Sequence, residues 1–342
     1  MSDQTNERKL EHIRAIERDP LTDRAAGHFD RIRLIHRALP ELDLAEIDSG
    51  CEFLGYRLSF PMMISSMTGG DHQVVRKINR NLALAAERTG VAMAVGSQRV
   101  IFSAPEARES FRLRQFAPNV PLIGNIGAVQ LNYGVELAQA QEAIDLLNAD
   151  GLYLHLNPLQ EAVQPEGDTN FAGLADKISR LVSELESPVL LKEVGSGLMP
   201  ADIELGLKAG VTCFDLAGTG GTSWSRIEHH RRDDDSDLGL RFQDWGVPTP
   251  TALKLANPYL DRATIIASGG LRDGIDIAKS VILGASLCGM AAPLLKPAME
   301  SADAVVAEIE KIKTEFRTAM FLLGVPDVAS MFNNRALILD EC

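Results

Sequence analysis

Eight short segments between residues 65 and 295 concentrate the residue types that can bind or react with a ligand. In chain order they read SSMTGG, GSQR, GNIGA, HLNPLQE, KEVGSG, GTGGTSW, SGGLRDG and MAAPLL. Glycines expose backbone N–H groups that can hold a phosphate group. Lysine and arginine bind anions, histidine transfers protons, and carboxylates bind divalent cations. If the fold brings these segments together, they form one polar site suited to a phosphorylated ligand.

Lys192 is the most unusual of these polar residues because it ends an apolar run, PVLLK. An ammonium group in such a position is desolvated, and a buried charge without a partner is costly, so it needs an anionic or electron-rich neighbour. That neighbour could be Glu193 or Glu161 in a salt bridge, or it could be a bound cofactor. Both interpretations fit the position of Lys192.

The elements that would position the eight segments alternate between two patterns from about residue 60 onward. Short runs that are apolar on both faces lead into the segments, as expected of buried parallel strands. Stretches with helical periodicity, such as VVRKINRNLALAAERTG and LADKISRLVSELE, lie between them. The predicted strands cover residues 62–66, 92–96, 122–125, 152–156, 189–192, 213–216, 264–267 and 286–290.

Eight βα units favour a closed (β/α)₈ TIM barrel over an open sheet. The main alternative, a doubly wound α/β sheet, would need a phosphate-binding fingerprint after its first strand. The GxGxxG pattern is absent there, and GxxxxGK(S/T) occurs nowhere in the chain. We therefore predict a single α/β barrel domain over residues 1–342. Because ligand groups of such barrels lie at the carboxyl ends of the strands, we expect the eight segments to meet at one mouth.

Two parts of the chain fall outside this repeat. Residues 1–60 are predicted to form an N-terminal extension, with a basic helical start and a strand or hairpin at 51–60. Residues 225–246, SRIEHHRRDDDSDLGLRFQDWG, form an insertion after the sixth strand that is too polar to join a core. An insertion on this side of a barrel lies over the active-site mouth, so the segment is either a mobile lid or a solvated loop.

Charge and cysteine content limit the partners and the compartment. With 47 acidic and 34 basic residues the net charge is −13, so broad attraction to nucleic acid or to an anionic membrane is not expected. No apolar stretch has the length and composition of a membrane span or a secretory signal. The four cysteines contain no CxxC pair and indicate neither a disulfide framework nor a zinc site. We therefore expect a reducing, cytoplasmic location.

The segment SGGLRDG, at residues 268–274, is the best candidate for holding a phosphate group. Gly269 and Gly270 would expose backbone N–H groups, and the helix that follows would add the positive end of its dipole. A tight turn would explain two glycines by themselves. Their place in the seventh unit, ahead of MAAPLL in the eighth, favours phosphate binding.

Six of the segments, in this order, resemble type 2 isopentenyl diphosphate isomerase. They are SSMTGG, GSQR, HLNPLQE, KEVGSG, GTGGTSW and SGGLRDG, and the N-terminal RKLEHI completes the resemblance. HLNPLQE and the N-terminal motif are specific, whereas the glycine-rich motifs occur in many flavin barrels. The resemblance covers essentially the whole chain. It implies a flavoenzyme that interconverts isopentenyl and dimethylallyl diphosphate without net oxidation or reduction.

The resemblance also implies ligands and an assembly. The cofactor is flavin mononucleotide (FMN) in its reduced form, Mg²⁺ assists the substrate diphosphate, and NADPH is needed only to reduce the flavin initially. An unactivated alkene is a weak base, so its proton donor must be strong and held against the double bond. Reduced FMN offers N5 and an electron-rich face for this purpose. The family forms homo-oligomers, so a tetramer to octamer is expected.

Positions that match the family's motifs give the expected site residues. The FMN contacts fall on Ser65, Ser66, Met67, Thr68, Ser97, Asn125, Lys192, Thr222, Gly269, Gly270, Leu271, Arg272, Ala291 and Ala292. The substrate contacts fall on Arg8, Lys9, His12, Ser97, Arg99, Asn157 and Gln160. The catalytic groups fall on His155, Gln160 and Lys192, and the Mg²⁺ ligand falls on Glu161. Ala217 departs from the family, which usually has serine there, and this removes one hydrogen bond near the flavin phosphate or ribityl chain.

The motif HLNPLQE also has an interpretation from its residues alone. Pro158 is expected to end the fourth strand, which would put Gln160 and Glu161 in a loop at the mouth. Gln160 can donate an amide hydrogen bond toward the diphosphate or the alkene, whereas Glu161 only accepts when ionised and suits Mg²⁺. A carboxylate beside a diphosphate is repulsive, so Glu161 belongs there only with a cation between them.

Two other functions are compatible with a phosphate-binding barrel. One is a flavin oxidoreductase: a hydroxy-acid oxidase would need a His–Arg pair, for which only Arg272 is in the right unit, and an inosinate dehydrogenase would need a cysteine in the GTGGTSW loop. The other is a catalytically silent barrel that acts as a regulator. For Arg8 and Lys9, residue type alone favours a solvated helix face, and only the family motif gives them a role in a site. For His155 a core histidine is the ordinary interpretation, but strand alternation puts it on one face with Tyr153 and Asn157, which fits an inward position.

Overall fold

Ten strands are present among the residues that the computed structural model describes, which are 11–12, 14–24, 28–67, 69–70, 72–232 and 234–339. In chain order they are β1 (Cys51–Phe53), β2 (Tyr56–Leu58), β3 (Met62–Ile64), β4 (Ala92–Ala94), β5 (Leu122–Gly127), β6 (Gly151–Leu156), β7 (Val189–Glu193), β8 (Cys213–Asp215), β9 (Thr264–Ser268) and β10 (Leu287–Met290). β1 and β2 form an antiparallel hairpin, and β3 to β10 form a closed parallel barrel in chain order, with β10 next to β3. The predicted (β/α)₈ TIM barrel is confirmed, and every strand ends within two residues of its predicted position.

Helices follow the strands around the barrel. They are α1 (Gln73–Thr89), α2 (Leu137–Leu147), α3 (Pro158–Val163), α4 (Leu174–Glu184), α5 (Pro200–Lys208), α6 (Trp224–His229), α7 (Leu238–Arg241), α8 (Thr249–Ala256), α9 (Gly274–Ile282), α10 (Ala292–Glu300), α11 (Ala302–Leu323) and α12 (Val328–Met331). Residues 14–18 are also helical. Between β4 and β5 two 3₁₀ helices, Gln98–Phe102 and Pro105–Phe111, take the place of an α-helix. No helix in the described part of the chain is long and apolar enough to cross a membrane.

The helix α1 shows how local sequence sets these elements. The His72 side chain accepts a hydrogen bond from a backbone N–H of the first turn, and Gly90 ends the helix in the left-handed conformation with φ of 68°. Val75, Ile78 and Leu82 repeat at helical spacing and are buried in the cluster that joins the helices to the strands. The face that they form holds α1 against the outside of the barrel.

Side chains that point into the barrel form layers, because successive residues of a strand point to opposite sides. One interior layer is apolar and includes Phe53, Leu58, Met63, Ile123, Tyr153, Leu190, Cys213, Ile266 and Leu287. Phe53 and Leu58 belong to the β1–β2 hairpin, so the hairpin closes the amino-terminal end of the barrel. The residues two positions further along the barrel strands form the next layer, on the side of the mouth.

Residues 225–246 fold against the mouth. They contain most of α6 and all of α7, and α6 packs against α3. Ser225, Ile227 and Glu228 are almost completely buried. The expectation that this insertion is too polar to join a core is therefore wrong for α6. Its polar groups can be buried because they are paired, as in the 2.6 Å hydrogen bond from Ser225 Oγ to the carbonyl oxygen of Gly239.

Arg24 fastens the residues before the barrel to the same mouth. Its guanidinium group donates hydrogen bonds of 2.6–3.1 Å to four backbone carbonyl oxygens, those of Gly195, Gly221, Thr222 and Gln243. These carbonyls belong to the loops after β7 and β8 and to the end of the insertion. A single partly buried arginine thus joins the N-terminal region, two barrel loops and the insertion.

Candidate active site

The interior layer at the mouth of the barrel is polar. Each member lies two residues beyond a member of the apolar layer, on a strand or directly after it. The members are Ser65, Asn125, His155, Lys192, Asp215, Ser268 and Gly289. The sequence predicts site roles for the first four of them but not for Asp215, Ser268 or Gly289. Because they lie at the carboxyl ends of the strands, these residues form the floor on which a barrel enzyme builds its site.

A cavity of about 250 Å³ opens above one side of this floor, and we call it the glycine-lined cavity. Its walls come mainly from the loops that follow β3, β8, β9 and β10. It contains most of the residues that the sequence predicts for FMN, namely Ser65, Ser66, Met67, Lys192, Thr222, Gly269, Gly270, Leu271, Arg272, Ala291 and Ala292. Thr68, also predicted, lies outside the described residues. Ser97 and Asn125 line a neighbouring pocket.

The backbone passes so close to other atoms in this cavity that side chains are excluded. A Cβ atom on Gly289 would lie 2.4 Å from Ser65 Oγ, and one on Gly221 would lie 2.8 Å from the backbone nitrogen of Gly270. Gly269 and Gly270 have positive φ angles of 95° and 84°. The buried Ser65 hydroxyl has no hydrogen-bond partner among the described residues. Helix α10 begins at the cavity wall, so its positive end faces the cavity. These features fit a phosphorylated cofactor such as FMN.

Lys192 stands at the boundary of two cavities with its ammonium group buried. Nζ donates a 2.6 Å hydrogen bond to the backbone oxygen of Glu193, and it lies 3.8 Å from Asp215 Oδ2 and 5.7 Å from the centre of the Tyr153 ring. The Glu193 carboxylate instead accepts hydrogen bonds from the backbone N–H groups of residues 194–197. The sequence suggests Glu193 or Glu161 as the salt-bridge partner of Lys192, and this is wrong. The acid beside Lys192 is Asp215.

Asp215 is one of the site residues that the sequence interpretation misses. It is fully buried at the end of β8, in register with Lys192 on β7, and it accepts a hydrogen bond from Ser268 Oγ. Burial raises the pKa of Asp215, and the nearby Lys192 acts to lower it. The sequence does contain a signal: an acid in the apolar run VTCFDLAG, two residues after Cys213, shares the interior face of the strand.

A second pocket of about 110 Å³ adjoins the first, and we call it the polar pocket. Ser66, Met67 and Lys192 line both spaces. The polar pocket contains all the described residues that the sequence predicts for substrate, catalysis or Mg²⁺, namely His12, Ser97, Arg99, His155, Asn157, Gln160, Glu161 and Lys192. The other two predicted substrate residues, Arg8 and Lys9, lie outside the described residues. The two spaces form one site with two compartments.

A chain of hydrogen bonds across the strand ends orients His155. Its Nδ1 lies 2.7 Å from Asn125 Oδ1, while Asn125 Nδ2 donates to Ser66 Oγ at 2.9 Å and to the carbonyl oxygen of Val95 at 3.1 Å. Because the amide nitrogen makes two donor bonds, the amide oxygen faces the ring and Nδ1 carries the proton. Nε2 is then the atom through which His155 can exchange a proton with a ligand.

The expectation that Gln160 and Glu161 lie in a loop is wrong, because both lie on α3. Pro158 occupies the first turn of that helix, where its missing N–H is not needed and its fixed φ is favourable. Successive helical residues point in different directions, so the two side chains diverge. Gln160 Nε2 donates a 2.7 Å hydrogen bond to Glu228 Oε1 on α6, whereas Glu161 points toward the loop after α3.

Glu161 and its neighbours supply oxygens that could hold Mg²⁺. The buried Glu161 carboxylate accepts hydrogen bonds from Asn157 Nδ2 at 2.8 Å, from Gln164 Nε2 at 2.6 Å and from the backbone N–H of Asp168 at 2.7 Å. Asn157 Oδ1 is buried and accepts no hydrogen bond from the described residues. Those residues contain no group of three or more His, Cys, Asp or Glu that could hold a metal alone. One carboxylate with substrate oxygens and water is a normal environment for Mg²⁺, so the residues fit this ion.

Arg99 brings a positive charge to the polar pocket. Its Nη1 lies 2.8 Å from Asp168 Oδ2, which also accepts a 3.0 Å hydrogen bond from Gln130 Nε2. The Arg99 side chain is 40% exposed, so the guanidinium group can turn other N–H donors toward an anionic ligand. Asp168 belongs to the loop between α3 and α4, outside every motif, and the sequence gives no reason to expect it at the site.

The insertion and the N-terminal region meet at Glu228, whose carboxylate is completely buried. Glu228 Oε1 lies 3.2 Å from His12 Nε2 and accepts the Gln160 amide hydrogen, while Oε2 pairs with Arg231. Burial acts to raise the pKa of Glu228, but the contacts with His12, Arg231 and Gln160 outweigh it and lower the pKa to about 2. The His12 ring packs edge-on against Trp224, with ring centres 5.2 Å apart. A paired, charged network therefore closes this side of the mouth.

Arg272 lines the glycine-lined cavity, but its guanidinium group is already engaged. It donates hydrogen bonds to Asp23 and to the carbonyl oxygen of Gly220. Asp23 also forms a β-bridge with Thr222 at the same wall. A phosphate group in this cavity would compete with Asp23 for Arg272.

Comparison with known proteins identifies the family. The family model of FMN-dependent dehydrogenases matches residues 2–103 and 153–338. A protein of Hydrogenovibrio crunogenus named isopentenyl-diphosphate delta-isomerase is 58% identical over 97% of this chain and 98% of its own length. A protein of the same name from Paracoccus zeaxanthinifaciens is 59% identical over 97% of this chain and 96% of its own length. The chain belongs to the type 2 isopentenyl-diphosphate delta-isomerase family.

This membership confirms the resemblance drawn from the motifs. The flavin-binding domain of baker's yeast flavocytochrome b2 has the same fold as this isomerase, with a TM-score of 0.66 over 91% of this chain and 76% of that chain. At 18% identity that likeness concerns the fold alone. The same barrel fold thus occurs in proteins named as isomerases and as dehydrogenases, so the side chains at the mouth must determine which reaction is catalysed.

The expected departure from the isomerase family falls within the site. Ala217 is buried in the wall of the glycine-lined cavity and has a positive φ of 41°, which non-glycine residues seldom adopt. Its methyl group offers no hydrogen bond to a ligand in that cavity.

Proposed function

We propose that this chain interconverts isopentenyl diphosphate and dimethylallyl diphosphate on reduced FMN, as a redox-neutral isomerase of isoprenoid biosynthesis. The observation that carries the proposal is the site with two compartments. A cradle of closely packed glycines suits a flavin, and it shares Ser66, Met67 and Lys192 with a pocket whose groups suit a diphosphate and a cation. Identity of 58–59% to named isomerases over almost the full length supports the same function.

The polar pocket is suited to hold the diphosphate. Arg99 supplies a guanidinium group, and we propose that Arg8 and Lys9 of the N-terminal region add further positive charge. The Glu161 carboxylate would repel a diphosphate, so we propose that it binds Mg²⁺ and that the ion bridges to the substrate. The binding energy of the diphosphate would then hold the alkene at the wall shared with the glycine-lined cavity.

The reaction adds a proton at one end of the allylic unit and removes one at the other. Bound reduced FMN supplies an electron-rich ring with acid–base capacity beside the alkene. We propose His155, Gln160 and Lys192 as the catalytic groups of the chain itself. His155 can exchange a proton through Nε2, Gln160 can orient the reacting part of the substrate, and Lys192 places a positive charge where the compartments meet. Trp224 lines both compartments and would exclude water from the alkene.

We also propose how the rest of the chain serves this site. In a single domain of residues 1–342, the insertion at 225–246 would act as a lid, and the extension at 1–60 would carry basic residues to the mouth. The packing of α6 against α3 supports the lid. We further propose NADPH as the initial reductant of the flavin, a homo-oligomer of four to eight subunits, and a cytoplasmic location.

The oxidoreductase alternatives lack their required groups in this arrangement. Arg272 donates to Asp23, while His155 is held by Asn125 on the other side of the floor, so they do not form a His–Arg pair. Cys213 lies in the apolar layer below the site, where burial raises the pKa of the thiol and disfavours a nucleophilic thiolate. Among the described residues, these two arrangements supply neither the His–Arg pair of the oxidase nor the nucleophilic cysteine of the dehydrogenase.

The decisive experiment supplies isopentenyl diphosphate and Mg²⁺ to the enzyme after its flavin has been reduced under anaerobic conditions. Dimethylallyl diphosphate should accumulate with no further oxidation of NADPH. Oxidation of one NADPH per product would support an oxidoreductase instead. A protein that holds reduced FMN but forms no product would contradict the proposal.

A matched pair of variants tests the polar pocket. Arg99→Gln should raise the KM for isopentenyl diphosphate by at least about tenfold, because a hydrogen bond to a charged group contributes about 1.5–3 kcal/mol. Arg108→Gln is the control: Arg108 lies on the next 3₁₀ helix, pairs with Glu142 and is similarly exposed, but it lines neither compartment. Equal KM values for the two variants would remove Arg99 from the substrate site.

A further inference from the structure

A buried acid next to a proposed catalytic group has no part in the mechanism given above. Asp215 is 0% exposed, and its strand pairs in register with that of Lys192, so both side chains enter the same layer of the barrel. The layer directly below, which includes Leu190, Cys213 and Tyr153, is apolar or uncharged. That layer therefore supplies no opposite charge to either group. Among the described residues, each is the other's ion-pair partner within 4 Å.

The donors around the ammonium group show how it is held. A lysine has three N–H donors. One is used by the carbonyl oxygen of Glu193 at 2.6 Å, and Asp215 Oδ2 attracts the group from 3.8 Å. Asp215 is fixed in turn by Ser268, which donates to its other oxygen. Lys192 is thus anchored on two sides, and a remaining donor faces the cavities.

Of the charged groups around the pair, Asp215 is the acid that partly neutralises the positive charge of Lys192. The Glu193 carboxylate is buried but already surrounded by the backbone N–H groups of residues 194–197. His155, on β6, is turned toward Asn125. Opposite charges within about 4–6 Å stabilise each other strongly where water is excluded. A ligand that gains negative charge beside Lys192 therefore meets a cation already partly neutralised by Asp215.

We propose that Asp215 is a positioning residue that holds Lys192 between the two compartments and, by partly cancelling its charge, limits how strongly the site favours reduced over oxidised FMN. The inference rests on the proposed function only in that Lys192 faces bound FMN. It does not depend on which reaction the reduced cofactor then serves. A site with an uncompensated lysine would hold the reduced cofactor more tightly, because reduction adds negative charge.

Titration of the apoprotein with oxidised and with reduced FMN tests the charge effect. Asp215→Asn keeps the shape and removes the negative charge. The ratio of the Kd for oxidised FMN to the Kd for reduced FMN should rise at least about tenfold, which is a shift of about 30 mV toward more positive potential for a two-electron couple. Lys192→Met should shift the ratio in the opposite direction.

Asp150→Asn is the matched control. Like Asp215, Asp150 accepts a hydrogen bond from a hydroxyl group, here that of Tyr56, and pairs with a cation, Arg114, but it lies at the opposite end of the barrel. It should leave the ratio within about twofold of the wild type. The proposal is overturned if Asp215→Asn binds FMN with a wild-type ratio, or if Asp150→Asn shifts the ratio as much.

If Asp215→Asn binds no FMN, urea unfolding of the apoprotein still tests the pairing of Lys192 with Asp215. Lys192→Met leaves the buried carboxylate without its cation and should lower the urea midpoint of unfolding. The double variant Lys192→Met with Asp215→Asn should recover stability relative to Lys192→Met alone. A double variant no more stable than Lys192→Met would refute the pairing. Neither measurement uses isopentenyl diphosphate, so failure of the isomerase assay and failure of this inference are separate results.

Discussion

Replacing Glu228 by glutamine removes the charge that joins the insertion to the mouth while keeping the size of the side chain. Glu228 is 0% exposed, and its oxygens contact His12 from the N-terminal region, Gln160 from α3 and Arg231 from the segment after α6. A glutamine can keep at most part of these contacts, because its amide nitrogen can only donate. His12 or Arg231 would then face a donor where each now faces a carboxylate oxygen.

The magnitude follows from the pKa of this carboxyl. The contacts lower the pKa of Glu228 from 4.5 to about 2 in the folded state, and this corresponds to about 3 kcal/mol at ~1.36 kcal/mol per pKa unit. Because the folded pKa is the lower one, the ionised group stabilises the fold above about pH 4.5, and this contribution is lost as the pH falls toward 2. Glu228→Gln should therefore be less stable than the wild type by about 3 kcal/mol at neutral pH.

Urea unfolding followed by tryptophan fluorescence measures this difference, since Trp224 begins the same helix. At pH 7.5 Glu228→Gln should unfold at clearly lower urea, and its deficit should narrow as the pH falls below 4.5. Glu142→Gln is the control, because Glu142 makes a half-exposed ion pair with Arg108. Its replacement should lower the free energy of unfolding by less than about 1 kcal/mol. A Glu228→Gln protein as stable as the Glu142→Gln control at pH 7.5 would refute the reasoning.

Three further changes test the compartments separately. Glu161→Gln should raise the Mg²⁺ concentration needed for activity and leave the protein folded and yellow; a Mg²⁺ titration that overlays the wild type would remove this residue from the metal site. Lys192→Ala should weaken FMN binding or slow flavin reduction, and wild-type FMN content and turnover would contradict its role. Gly289→Ala places a Cβ atom 2.4 Å from Ser65 Oγ, so the protein should purify with little FMN. A full complement of FMN in Gly289→Ala would show that the cofactor does not need this close approach.

The barrel can be predicted from the sequence because its signal is local and repeated. Each strand is a short, mostly apolar run, such as PVLLK or TIIAS, and most of these runs are followed by a helix-period stretch. The eight repeats reinforce one another, so a boundary error of two residues in one strand does not change the topology. The helix α3 could not be predicted from the sequence in the same way. Proline ends a strand and also starts a helix, and the six residues of Pro158–Val163 are too few for a periodic pattern to separate these outcomes.

Site residues can be predicted where they lie within a recognisable motif. They cannot be predicted where their burial depends on partners that are distant in the sequence. HLNPLQE and SGGLRDG contain their functional side chains within a few residues. Glu228 lies in a highly charged insertion, and the local composition predicts a solvated side chain. It is buried because its partners His12 and Gln160 come from more than 60 residues away in the chain. Asp168 is likewise brought to the site by Arg99. Only the tertiary structure pairs these residues.

Three cations that line the two compartments share one arrangement that bears on how anions bind. Lys192 is paired with Asp215, Arg99 with Asp168, and Arg272 with Asp23. In a chain of net charge −13, these pairs keep the three cations compensated before any ligand arrives.

A phosphate group or a diphosphate therefore meets cations whose charge a carboxylate already partly cancels, so the net gain in free energy is smaller than a bare cation would give. Magnesium changes this balance in the polar pocket. On our proposal, a Mg²⁺ ion at Glu161 would carry two positive charges, of which the carboxylate cancels only one. The remaining charge explains in physical terms why a diphosphate pocket whose described arginine, Arg99, is already paired with Asp168 would depend on a divalent cation.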